Sequence, residues 1–179
     1  GSFSKLQTFD TKGVHTITAR FESADYHEET ESEARLTIFM PTRLITNLST
    51  LSPAKVNEDL PLRARLEDLR GQGVGQAALL FREEGVTLGG SSTDRQGDTQ
   101  QGGRAQEPGN RLLSIKFDGG GFFLPTESDA IVSVFMPTRL AFLGPPSEVD
   151  VGKPVPLALE LRTVLGEPVS GARVSIADG

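Results

Sequence analysis

His15 and His27 are the only imidazoles in the chain, and imidazole is the side chain most readily turned to metal binding or proton transfer near neutral pH. In a second copy of the surrounding pattern the same places hold Arg111 and Phe123, so neither position demands an imidazole. A strand-end residue and a loop residue account for both. The acidic run Glu28, Glu29, Glu31 and Glu33, with Asp94, Asp98 and Asp118, could offer oxygen ligands to calcium, which takes six to eight. No D-x-D-x-D spacing organises them, and a solvated acidic face is the simpler account. Serines are plentiful but lack the strand-turn-helix context of a nucleophile elbow. Cysteine is absent, which removes thiolate nucleophiles and zinc-thiolate sites. Gly71-Gln72-Gly73-Val74-Gly75 lacks the Lys-Ser/Thr ending of a phosphate loop and is a hairpin turn. Lys116, between Ile115 and Phe117, takes an outward strand slot, unsuited to a buried isopeptide cross-link. The expectation is a protein that is not an enzyme and has no cofactor, calcium being the one ion its acids could serve.

The elements that carry these side chains follow from composition and period. Hydrophobic residues make up 36 % and charged residues 23 % of the 179, a globular composition rather than a disordered one. A net charge of −6 argues against a nucleic-acid partner, which needs a basic face. No apolar run approaches the roughly 20 residues of a membrane-spanning helix, so no membrane insertion is expected. Glycine (20) and proline (11) punctuate runs of Val, Leu, Phe and Thr, which reads as short strands joined by turns.

One stretch organises the whole chain. Phe39-Met40-Pro41-Thr42-Arg43-Leu44 returns letter for letter as Phe135-Met136-Pro137-Thr138-Arg139-Leu140, an offset of 96. Six identical residues in so short a chain mark a true repeat. Around it, His15–Phe21 alternates inward Ile17, Ala19 and Phe21 with outward Thr16, Thr18 and Arg20, and Arg111–Phe117 repeats the pattern. Ala34–Ile38 answers to Ala130–Val134. Leu60–Glu67 is the strongest alternation, and Val155–Leu161 matches it at an offset of 95. Leu44–Leu51 and Ala77–Phe81 read as further strands. Between Arg82 and Asn110 only Val86 and Leu88 are sizeable apolar residues. That stretch predicts one short strand, a turn at Thr93–Gly97 and a long polar loop, while Phe3–Phe9 suits a strand better.

Three units follow: residues 1–39 as the closing part of a repeat, 40–135 as a complete repeat, and 136–179 as the opening half of another. An alternative division joins permuted units 1–81 and 109–179 through the polar loop 82–108. The inward positions predict a core of Ile17, Phe21, Leu36, Ile38, Leu62, Leu66, Leu79, Phe81, Leu113, Ile115, Phe117, Val132 and Val134, with Leu157, Leu159, Leu161 and Val174 beyond.

Gly13-Val14-His15-Thr16-Ile17-Thr18-Ala19-Arg20-Phe21 with Tyr26 resembles the closing half of the bacterial immunoglobulin-like tandem repeats of adhesins and other surface proteins. Gly166-Glu167-Pro168-Val169-Ser170-Gly171 is similar to that family's G-x-P-V-x-G turn, and Thr93-Asp94-Arg95-Gln96-Gly97 to its T-D-x-x-G turn. The family's Gly-Asp before the aromatic is replaced here by Glu22-Ser23-Ala24-Asp25. The resemblance implies an all-β fold of tandem immunoglobulin-like β-sandwiches with a period of about 96 residues, at an extracellular or cell-surface location. It implies a structural spacer or stalk whose partners are the neighbouring repeats. A glycan- or protein-binding adhesion module, or accessory domains of a secreted or membrane-anchored enzyme, are the alternatives.

Parity past Leu36 and Ile38 turns Phe39 outward, and Phe135 likewise after Val132 and Val134. An exposed Phe-Met before Pro-Thr, seen twice, predicts an inter-repeat joint built from Phe39, Met40, Pro41 and Arg43, and from Phe135, Met136, Pro137 and Arg139, the prolines stiffening the crossing.

Overall fold

The computed structural model describes residues 2–144 and 146–177. Among the described residues there are twelve strands: β1 (Gly13–Phe21), β2 (Thr30–Ile38), β3 (Thr42–Thr46), β4 (Ala54–Lys55), β5 (Asp59–Asp68), β6 (Ala78–Glu83), β7 (Val86–Ser92), β8 (Asp98–Arg104), β9 (Gly109–Phe117), β10 (Thr126–Phe135), β11 (Thr138–Phe142) and β12 (Leu159–Thr163). A 3₁₀ turn, Leu48–Leu51, follows β3. The molecule is all-β.

Two sheets form the middle of the chain. One holds β3, β5 and β8, the other β4, β10, β9, β6 and β7 in that order. Pairing is antiparallel except where β4 runs parallel to the end of β10. Strict alternation in β5 buries Leu60, Leu62, Ala64 and Leu66, and its other face is polar. Leu79, Phe81, Leu113, Ile115, Phe117, Val132 and Val134 come from the other sheet to the same cluster. Both sheets therefore enclose one core, an arrangement consistent with a β-sandwich. Every buried apolar residue among those described lies between Leu48 and Val134.

The end pieces are separate hairpins, β1–β2 and β11–β12. Their registers copy those of the middle. Gly13 pairs Ile38 and Phe21 pairs Thr30, as Gly109 pairs Val134 and Phe117 pairs Thr126, each position 96 residues on. Thr138 pairs Thr163 and Phe142 pairs Leu159, as Thr42 pairs Asp68 and Thr46 pairs Ala64, at offsets of 96 and 95.

Several expectations need correction. The run Leu44–Leu51 is not one strand, because β3 ends at Thr46 and the chain turns through the 3₁₀ segment to bury Leu48. Residues 82–108 are not a polar loop; they hold β7 and β8, one edge strand of each sheet. β8 manages this without large apolar residues because its inward positions, Thr99, Gln101 and Gly103, sit close against the sheet edge. Thr99 Oγ1 donates to Ser91 Oγ of β7 at 2.8 Å, and a Cβ on Gly103 would lie 3.3 Å from Leu62 Cδ1. A linker between permuted halves would not be built into both sheets. Residues 3–9, by contrast, form no strand, and Phe3 and Leu6 are fully exposed.

The core expectation divides by unit. Its members from Leu62 to Val134 are buried, but Phe21, Leu36, Leu157 and Val174 are exposed, and Ile17, Ile38, Leu159 and Leu161 are only half-buried. Alternation supplies an apolar face; only an opposing sheet covers it, and the end hairpins have none among the described residues.

Candidate functional site

The repeated Phe-Met-Pro-Thr segment meets the middle unit at the turn joining β9 to β10. Gly121 and Phe122 both adopt left-handed backbone (φ +56° and +64°), a tight reversal that is uncommon for a phenylalanine. It is closed by paired backbone bonds between Gly120 and Phe123 at 2.9 and 3.1 Å. The reversal presents Phe122 to Phe39, ring centroids 6.3 Å apart and tilted by 52°.

Beside the rings, the backbone locks. Met40 N–H donates to Phe122 O at 2.8 Å and Leu124 N–H donates to Met40 O at 3.0 Å. Thr42 Oγ1 donates to Leu124 O at 2.8 Å. Pro41, half-buried between Met40 and Thr42, has no N–H to leave unpaired and fixes φ at the crossing. From the other side, the Lys12 ammonium stands 3.3 Å from the centre of the Phe123 ring and donates to Gly121 O at 3.2 Å. Such an exposed cation–π contact contributes about 0.5–1 kcal/mol. Arg70 donates to the carbonyl of Asp10. The base of the β1–β2 hairpin thus rests on two turns of the middle unit.

Arg43, expected at the joint, is tied one strand further in. Its Nε and Nη2 donate to Glu67 Oε2 at 3.1 and 2.8 Å, while Arg65 Nε donates to Glu67 Oε1 at 2.8 Å. Glu67 is buried, and the hydrogen bond from Arg43, helped by Arg65, holds its carboxyl below its ordinary value of 4.5 against the opposing effect of burial. A carboxylate with a lowered folded pKa stabilises the fold above the ordinary value, and that contribution is lost as pH falls through the folded value. Glu67→Gln is therefore expected to lower the melting temperature at pH 7, by a gap that narrows as the pH falls below 4.5. Thermal melts over a descending pH series check it; a gap that does not narrow would show that Glu67 acts by packing rather than by charge.

The second copy of the hexapeptide keeps the strand register but differs in its backbone bonds and its charges. Phe135 is 59 % exposed, and its carbonyl accepts from Val56 N–H at 2.9 Å. Met136 packs against the shared core, and Pro137 O accepts from Val164 N–H at 2.9 Å. Arg139 pairs in register with Arg162, where Arg43 pairs with Glu67. Arg162 turns instead to Glu160 at 2.6 Å, and Arg139 makes no ion pair among the described residues. The Arg162 guanidinium lowers the Glu160 pKa, and Glu160 in turn raises that of Arg162.

The side chains weighed for chemistry stay apart. His15 Nε2 lies 2.9 Å from Thr11 O, its ring edge-on to Phe9, and His27 Nδ1 lies 3.0 Å from Asp25 O. Asp94 Oδ1 accepts from the backbone of Gln96 and Asp98, Asp98 pairs with Arg65, and Lys116 pairs with Asp118 at 2.8 Å. Glu29 pairs with Arg20. No group of three His, Asp or Glu converges among the described residues.

Of the residues expected at the joint, Phe39 and Met40 meet the Phe122–Leu124 turn, while Arg43 is bonded to Glu67 and Phe135 is exposed; Phe122, Phe123, Leu124, Lys12 and Glu67 are not among the expected joint residues. The signal was Phe122-Phe123-Leu124 directly after Gly119-Gly120-Gly121, three apolar residues in a row at a turn where the first copy has Tyr26-His27-Glu28. No protein-family model matches the chain, and no curated protein matches it.

Proposed function

We propose that these are non-catalytic, tandem immunoglobulin-like spacer repeats of a large bacterial extracellular or cell-surface protein. The observation that carries the reading is the pair-for-pair identity of hairpin registers at an offset of 96, since one structural unit used again is how a stalk is built. The joint supports it, because a spacer has to hold its units at a set angle. Phe39 against Phe122, the two Met40 backbone bonds and the Lys12 contact all tie the closing part of one repeat to the next. The resemblance carried by the G-x-P-V-x-G and T-D-x-x-G turns is what supports an extracellular or cell-surface location.

Solution scattering, extrapolated to infinite dilution, tests the mechanical part. The parent chain is expected to give a sharp pair-distance distribution, and Phe39→Ser with Phe122→Ser to broaden it and lengthen its tail. A parent as flexible as the double variant would remove the basis for a stalk.

A further inference from the structure

A free strand edge is a row of unpaired N–H and C=O groups, and folded proteins blunt such edges with charge, proline or brevity. In the middle unit β3 follows Pro41 and carries Arg43, β8 carries Asp98 and Arg104, and β4 is two residues long. Beyond its short pairing with β4, β10 carries Glu127 and Asp129. β7 is different. It is an edge strand of the five-stranded sheet, seven residues long, with no charge and no proline. Among the described residues nothing pairs with its free side, and Val86 is 68 % exposed.

A bulge can turn an edge away from partners. Here the shift in register at Phe81 and Arg82 leaves only Leu88 unpaired, and residues 89–92 stay in regular register with residues 78–81. Every second residue along that run turns its N–H and C=O away from β6. The bulge also sets the chemistry beside the edge. Arg82, half-buried on the outer face of the sheet, pairs in register with Thr87 of β7. Its Nε is buried and finds no hydrogen-bond partner among the described residues. Asp118, whose carboxyl is held below its ordinary value by Lys116 and in lesser part by Arg82, is bonded to Lys116 at 2.8 Å. A carboxylate from outside the sheet is what would complete the Arg82 guanidinium. On the inner face the edge residues are Gly89 and Ser91, both half-buried, with Gln101 of β8 against Gly89. That margin suits small uncharged side chains.

We propose that β7 is a docking edge for an extended segment of a partner protein, which adds as a further strand and sets an acidic side chain against Arg82. The edge belongs to the complete middle unit, so its chemistry is independent of the spacer reading. Two strand spacings, about 10 Å, separate β6 from the added strand. An arginine and a glutamate side chain cover that span between them, across Thr87. A second copy of β7 could pair through its backbone but has no carboxylate to offer. Charge therefore selects an acidic segment over self-pairing.

Fluorescence anisotropy tests this, with the whole chain titrated into a labelled peptide. The probe alternates valine and threonine, with one central glutamate in the threonine series. A second probe carries lysine in that place, and a third is the glutamate peptide N-methylated along its backbone. The glutamate peptide is expected to bind saturably, about five-fold tighter than the lysine peptide, and the N-methylated one not at all. Hydrogen exchange in the complex should slow in residues 86–92 and stay unchanged in β3 and β8. Arg82→Gln, melting as the parent does, should still bind but take the glutamate and lysine peptides alike. If that variant does not fold, the charge preference of the parent and its exchange map decide alone. Absence of saturable binding overturns the proposal, as does binding that survives N-methylation, shows no charge preference or protects another strand. A parent already paired through β7, seen as slow exchange there and a sedimenting dimer before peptide is added, would make a second copy the occupant and overturn it too.

Discussion

Leu62→Asp is expected to abolish the cooperative melt of the middle unit, while Arg63→Asp, one residue on, leaves it nearly unchanged. Leu62 is 1 % exposed at the centre of β5, between Ala64 and Leu60 on the inward face. Shortening a buried leucine alone costs about 2–5 kcal/mol. A carboxylate in its place has no partner in an apolar cluster, and burying an unpaired charge costs several kcal/mol more. A domain of this size has only about 5–15 kcal/mol to lose. Arg63 points the other way into solvent, and its side chain makes one long hydrogen bond, Nε to Gln100 Oε1 at 3.3 Å. Its backbone N–H still donates to Asn47 Oδ1 at 2.8 Å whatever side chain it carries. A surface change of this kind stays within about 0.5 kcal/mol. Circular dichroism melts of the two variants decide the matter; equal melting temperatures would mean that the faces of β5 are assigned the wrong way round.

That contrast rests on a pattern visible in the letters of β5, and β1, β9 and β10 were legible for the same reason. β8 was not. Its inward residues are Thr99, Gln101 and Gly103, whose burial depends on a neighbouring edge: Ser91 accepts the Thr99 hydroxyl, and Gly89 leaves room for Gln101. Alternation of polar and small residues looks like a loop when read alone. The reverse error befell Ile17 and Leu36. They alternate as well as Leu113 and Val132 do, and they lie half-buried or exposed because burial belongs to a contact and not to a period.

The joint shows the same division. Phe39, Met40 and Pro41 were found because the hexapeptide recurs. Their counterpart, Phe122, is placed by a left-handed backbone angle that a propensity scale penalises, so its role becomes visible only when the turn is built. The charge pattern behind the joint is not repeated at all. Arg162 stands where Glu67 stood and Glu160 where Arg65 stood, so the same Pro-Thr-Arg leads to a four-membered ion cluster of Arg43, Glu67, Arg65 and Asp98 in one unit and a lone pair in the next. Identical letters there do not mean identical contacts.

Gly73→Ala should lower the melting temperature of the middle unit by roughly 12–24 °C, the shift that a loss of about 3 kcal/mol produces in a domain near 100 residues. The turn after β5 interlocks with the turn after β7. Leu66 N–H donates to Gly97 O and Val74 N–H to Leu66 O, both at 2.9 Å, so the two loops approach backbone to backbone. A Cβ on Gly73 would lie 1.9 Å from Gln96 O, closer than any contact that survives without movement. Neither side can give way easily. Gln96 sits in a turn held by Asp94 Oδ1, which accepts from Gln96 N–H at 2.8 Å and Asp98 N–H at 2.9 Å, and Asp94 N–H donates to Asp98 O at 2.8 Å. Gly102, in β8, has open space where its Cβ would go and no left-handed backbone. Gly102→Ala is expected to leave the melt unchanged or raise it slightly, since alanine restricts the unfolded chain more than glycine does. The pair separates two reasons for keeping a glycine. If both variants melt alike, close approach is not what Gly73 provides; if only Gly73→Ala falls, the interlocked turns bear on the stability of the sandwich as directly as its buried leucines do.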